Sequence, residues 1–128
     1  MIMKFKRIYT LNVKHRCCNK NNILVADTNR TFIGYIDQIS DWLDMFFISD
    51  YMSLSEDCPE EGYIRTDIIL HVQYVDAYGD VIQDVKSSKF LKDEWDKFDS
   101  DKVIIKFVER WIFDVDYQSY KKCTKMFD

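Results

Sequence analysis

Between residues 63 and 86 the chain can close on itself in essentially one way. Residues 63–76 are rich in β-branched and aromatic side chains, Ala77-Tyr78-Gly79-Asp80 supplies turn chemistry, and residues 81–86 resume the pattern. With Tyr78 and Gly79 at the tip, cross-strand partners are the residues whose numbers sum to 157. Leu70, Val72, Tyr74, Val81 and Val85 then share one face of the hairpin, and His71, Gln73, Asp84 and Lys86 share the other. The apolar face is the predicted core face, because a slip of one residue would turn it to solvent.

The rest of the chain is read around this hairpin. Phe5, Arg7, Tyr9, Leu11 and Val13 alternate with Lys6, Ile8, Thr10, Asn12 and Lys14, the period of a half-buried strand. Asn19-Lys20-Asn21-Asn22 is a turn, and two further strands are predicted at 23–26 and 31–36, joined by Asp27-Thr28-Asn29-Arg30 as a loop. Ile36, Ile39, Trp42, Leu43, Phe46 and Phe47 fall within about 140° of arc at 100° per residue, with Asp37, Asp41 and Asp44 opposite. That predicts a helix over 38–49 with Asp37 as its N-cap, followed by an acidic loop at 53–62.

In the last third, Leu91, Trp95 and Phe98 keep helical spacing over a short stretch and predict a first, short helix there. Ile104, Phe107, Val108, Trp111, Ile112 and Val115 follow i, i+3, i+4, i+7, i+8, i+11 and predict a second helix. The β-branched run Val103-Ile104-Ile105 leaves a terminal strand as the alternative there. Hairpins mixed with helices, without a βαβ rhythm, predict an α+β fold: an antiparallel sheet of about five strands with two or three helices packed on one face, in a single domain over 1–128.

Composition bounds the setting. A 47% hydrophobic and 16% aromatic chain of 128 residues can bury one core, and three glycines with one proline leave no linker to divide it. No apolar run exceeds four residues, as at 45–48, so no membrane-spanning helix is predicted, and the charged start Lys4-Phe5-Lys6-Arg7 is unlike an export signal. The expected location is the cytoplasm, with all four cysteines as free thiols. Without an export signal, Asn29-Arg30-Thr31 is a chance match to a glycosylation acceptor. His15-Arg16-Cys17-Cys18 suggests metal ligation, but Cys58, His71 and Cys123 stand alone rather than in pairs, so neither metal nor cofactor is expected.

Charge is the most unusual feature. Residues 1–35 carry seven Lys/Arg and one Asp, whereas residues 36–64 carry eight Asp/Glu and no Lys/Arg, within a net charge of −4. The acidic residues Asp37, Asp41, Asp44, Asp50, Glu56, Asp57, Glu60 and Glu61 are the candidate partner-binding set, suited to a protein with a basic surface. The class-level analogy is an inhibitor or modulator, of phage or mobile-element type, that occupies the site of a nucleic-acid-binding protein. The alternative is nucleic-acid binding by the basic N-terminal region: Lys4, Lys6, Arg7, Lys14, His15, Arg16 and Lys20 with Tyr9. A third reading is that the two blocks merely neutralise each other.

Enzyme readings fare worse. There is no phosphate-binding glycine loop, nucleophile elbow or His-Glu-x-x-His pattern. Asp84-Val85-Lys86 with an upstream acid resembles the arrangement of restriction-like metal-dependent nucleases, yet the hairpin register puts Asp76 on the opposite face from Asp84 and Asp67 toward the far end. Cys17 or Cys18 with His15 or His71 lacks a third, orienting group. No catalytic residue is assigned.

Overall fold

The computed structural model describes residues 5–92 and 101–125. Two long strands form its centre: β1 (Phe5–Cys18) and β3 (Tyr63–Asp76) pair antiparallel from Phe5↔Asp76 to Cys18↔Tyr63. β2 (Leu24–Gly34) flanks β1 and β4 (Val81–Lys92) flanks β3, giving an antiparallel sheet of order β2-β1-β3-β4. Helical residues 36–56 follow β2, and a long helix over residues 101–125 comes after β4, so the chain order is β-β-α twice over.

Alternation along the central strands decides which face is covered. Tyr9, Leu11 and Val13 of β1 join Ile68, Leu70, Val72 and Tyr74 of β3, with Phe32 and Leu91 from the flanking strands, in one buried cluster. The helices add Ile39, Leu43, Phe47, Ile104, Ile105, Val108 and Ile112 to the same cluster, so both helical layers cover one face. The opposite face, which carries Lys6, Thr10, Asn12, Lys14 and Arg16 from β1, is left without a helix among the described residues.

The β3–β4 register is the predicted one from Arg65↔Lys92 to Tyr74↔Gln83, and Leu70, Val72 and Tyr74 are fully buried. A bulge between Tyr74 and Val75 breaks the pattern near the turn, which is why Val81 is exposed rather than in the core. In the turn, Gly79 takes φ +86° and Asp76 Oδ1 accepts the backbone N–H groups of Tyr78 (2.9 Å) and Asp80 (3.0 Å). β4 also continues to Lys92, so Leu91 is a strand residue and not part of a helix; Trp95 and Phe98 lie outside the described residues.

Among the described residues the sheet has four strands where about five were predicted. Asp27-Thr28-Asn29-Arg30 pairs with Arg16, His15, Lys14 and Val13 in one continuous β2, so the expected loop is strand. Its polar side chains suit an edge strand, and Asn12 Nδ2 donates across to Asn29 Oδ1 (2.7 Å) and Thr31 Oγ1 (2.9 Å).

The first helical stretch is longer than predicted. A 3₁₀ turn (Ile36–Gln38) leads into α1 (Ile39–Trp42), a π segment (Leu43–Phe47) and α2 (Ile48–Glu56), so the front of the expected acidic loop is helix. Asp37 sits inside the opening turn rather than capping it; Gln38 Oε1 accepts the Tyr35 N–H instead, at 3.0 Å. The π segment has a visible cause in sequence. The deepest residues, Ile39, Leu43 and Phe47, are spaced by four, which overshoots an α-turn by about 40° per step, and a wider turn keeps them in line. The second helix, α3 (Asp101–Lys125), follows the predicted spacing, with Ile104, Val108 and Ile112 fully buried, and the terminal-strand alternative is set aside.

Cysteine chemistry differs from expectation. Cys17 and Cys58 form a disulfide with a Cα–Cα separation of 5.8 Å, joining the end of β1 to the loop after α2. All four cysteines were expected as free thiols, and the fold instead brings a partner 41 residues away to Cys17. Cys18 is free and buried, and the side chain of Cys123 lies outside the described residues. No described helix is long and apolar enough to cross a membrane.

Candidate partner-binding surfaces

Asp37, Asp41, Asp44, Glu56, Asp57 and Glu60 are exposed on the helical segment 36–56 and the loop after it, and none forms an ion pair among the described residues. Two members of the candidate set have partners. Glu61 meets Lys20 at 3.7 Å, with both side chains exposed. Asp50 is mostly buried and accepts a two-pronged bond from Arg30, Nε to Oδ2 at 2.7 Å and Nη2 to Oδ1 at 2.9 Å. That bond raises the Arg30 pKa further above its usual value, and the guanidinium also lies 4.3 Å over the Phe46 ring, so Phe46 sits at the rim rather than in the core.

Among the described residues, two of these carboxylates reach the basic N-terminal block, through Lys20–Glu61 and Arg30–Asp50. The acidic side also exposes apolar surface: Met45 is 64% exposed and Met52 49% exposed, interspersed with the carboxylates.

The basic N-terminal residues are dispersed. Lys6, Lys14 and Arg16 lie on the open sheet face, and Arg16 bonds Asp67 at 3.7 Å. Arg7 points to the helical side, donating to both oxygens of Asp116 on α3 at 3.0 and 3.1 Å. Tyr9 is buried and its hydroxyl donates to the same carboxylate; burial first, and then this acceptor, push its pKa upward, so it stays protonated. His15 is buried as well, sharing a hydrogen bond of 2.7 Å with Thr66 through Nδ1 and packing against the Phe47 and Tyr51 rings. Desolvation pushes its pKa down to about 4, against the opposing pull of Asp50 and the Phe47 backbone. Lys4 lies outside the described residues.

The chemistry considered from sequence is not assembled. Asp84 contacts His71 on the open face, Asp76 is engaged in the β3–β4 turn, and Asp67 lies between Arg16 and Arg65. Among the described residues, no three His, Cys, Asp or Glu side chains group to hold a metal ion. Cys17 is consumed by its bond to Cys58.

What sequence reading missed is on the open face. Strand register places Arg65 and Lys92, from β3 and β4, abreast of Arg16 on β1. Comparison with protein families, with curated proteins and with solved structures returned no match.

Proposed function

We propose that this chain is a protein-binding module that inhibits or modulates a partner with a basic surface by docking its acidic helical side against it. The observation that carries the reading is the set of exposed carboxylates without ion-pair partners among the described residues, Asp37, Asp41, Asp44, Glu56, Asp57 and Glu60, on the same segment as the exposed Met45 and Met52. Unpaired charges of one sign steer association with the opposite sign, while flexible methionines supply adaptable apolar contact at the centre of such surfaces. Asp50, held by Arg30, fixes the helical segment to β2 and contributes less to a partner contact than its neighbours.

The test is comparative capture from host extract, with bound proteins identified by mass spectrometry. Wild-type chain and an Arg65→Gln variant on the opposite face should retain the same basic protein, and an Asp41→Lys/Asp44→Lys variant should lose it. Retention by the double variant overturns the reading. The proposal sets the module in the cytoplasm, where reducing couples would hold Cys17 and Cys58 as thiols in the cell. Alkylation of thiols in intact cells checks this, and finding the bond closed there would move the module to an oxidising compartment.

A further inference from the structure

We propose that the open face of the sheet binds single-stranded nucleic acid at the end where Arg16, Arg65 and Lys92 stand abreast. The register pairs Arg16 with Arg65 and Arg65 with Lys92, so three cations occupy adjacent positions across β1, β3 and β4, about 4.8 Å apart from strand to strand. Like charges placed directly opposite one another destabilise a sheet, so folding alone gives no reason for such a row. Lys14, two residues along β1 on the same face, adds a fourth cation.

Among the described residues one carboxylate forms ion pairs with this row: Asp67 reaches Arg65 at 3.4 Å and Arg16 at 3.7 Å, and the four cations outnumber Asp67 and the neighbouring Asp27. The Nε of Arg65 is buried and forms no hydrogen bond among the described residues, so this donor lacks an acceptor. Beside it runs a groove of about 500 Å³, lined in part by Lys14, Arg16, Arg65, Asp67 and Phe90.

Aromatic rings are interleaved with the cations. Phe90 is half-exposed with the Arg65 guanidinium 4.8 Å from its centre, and Lys92 lies 4.4 Å over Tyr63. A phosphodiester chain with unstacked bases matches this chemistry, since phosphates meet the cations and bases stack on the ring and guanidinium planes. A duplex matches it less well: its bases are already stacked, and no described element projects from this face to enter a groove. The positive field is local. Asp27 ends the row on β2, and Asp84 lies farther along the same face, so the site spans only a few nucleotides.

Fluorescence anisotropy of the full chain with labelled dT12 tests the inference. Micromolar binding is expected in 50 mM salt, weakening roughly 20-fold at 200 mM if about three phosphates are contacted. Arg65→Gln should weaken binding about fivefold or more and flatten the salt dependence. Lys14→Gln/Lys92→Gln should do likewise, and decides the matter should Arg65→Gln melt below wild type. Phe90→Leu should weaken dT12 binding without altering its salt slope. The inference is overturned if 100 μM protein fails to bind dT12 in 50 mM salt, or if the charge variants bind like wild type. Equal binding of a twelve-residue polyglutamate peptide, or of a duplex of the same length, also overturns it.

Discussion

His15 occupies a position where most chains would place an aliphatic residue. It is 1% exposed on the core side of β1 and is held by Thr66 and the Phe47 ring. With its pKa lowered from 6.5 to about 4, the folded state keeps it neutral while the unfolded state protonates it. Its contribution is thus complete above pH 6.5 and is lost as pH falls toward 4, amounting to about 2 kcal/mol between pH 7 and pH 5. Thermal melts of wild type and His15→Gln at both pH values should show a steeper loss in wild type, and parallel losses would contradict the assignment. Asp116 is a second, partly buried focus that accepts from both Tyr9 and Arg7. Asp116→Ala leaves the buried Tyr9 hydroxyl without this acceptor, while Arg7 keeps solvent and the Tyr120 ring, and should cost about 1–3 kcal/mol in denaturant unfolding, with Asp116→Asn losing less.

At the scale of elements, strict patterns were readable and compensated ones were not. The β3–β4 register followed from alternation on both sides of Gly79, and α3 from the spacing of Ile104, Val108 and Ile112. β2 was misread because Asp27-Thr28-Asn29-Arg30 has loop chemistry, and its side chains are met by Asn12 on the neighbouring strand and Asp50 on α2, partners that no local pattern shows. The acidic set was visible as composition, whereas Arg16, Arg65 and Lys92 are far apart in the chain and only register aligns them. The Cys17–Cys58 bond was likewise invisible locally. By chain entropy, closing a loop of roughly 40 residues stabilises by at most about 4 kcal/mol, so reduction should lower the melting temperature by up to about 15 °C. Beside that bond, a Cβ on Gly62 would come within 2.6 Å of the Cys18 carbonyl oxygen and 3.1 Å of Cys58 Sγ. Gly62→Ala should therefore destabilise by about 1–3 kcal/mol in the same denaturant assay, and a neutral result would show that this loop can shift.

For the molecule as a whole, carboxylates without ion-pair partners among the described residues cluster on residues 36–60, a row of cations lies on the open face, and α3 adds the exposed cations Lys102, Lys106, Arg110 and Lys122 to the helical side. Among the described residues two ion pairs join the N-terminal basic block to the acidic segment. A net charge of −4 hides this arrangement, which is a property of topology and register rather than of composition. The most direct test is the association rate with the captured partner at 50 and 300 mM salt, for wild type and for Asp41→Lys/Asp44→Lys. Both side chains are exposed and neither bonds elsewhere among the described residues, so the double variant should melt close to wild type. If the acidic side guides docking, the variant associates about tenfold more slowly at low salt and the two rates converge at high salt. Equal rates at 50 mM salt would contradict the account and leave the acidic side a solvated surface.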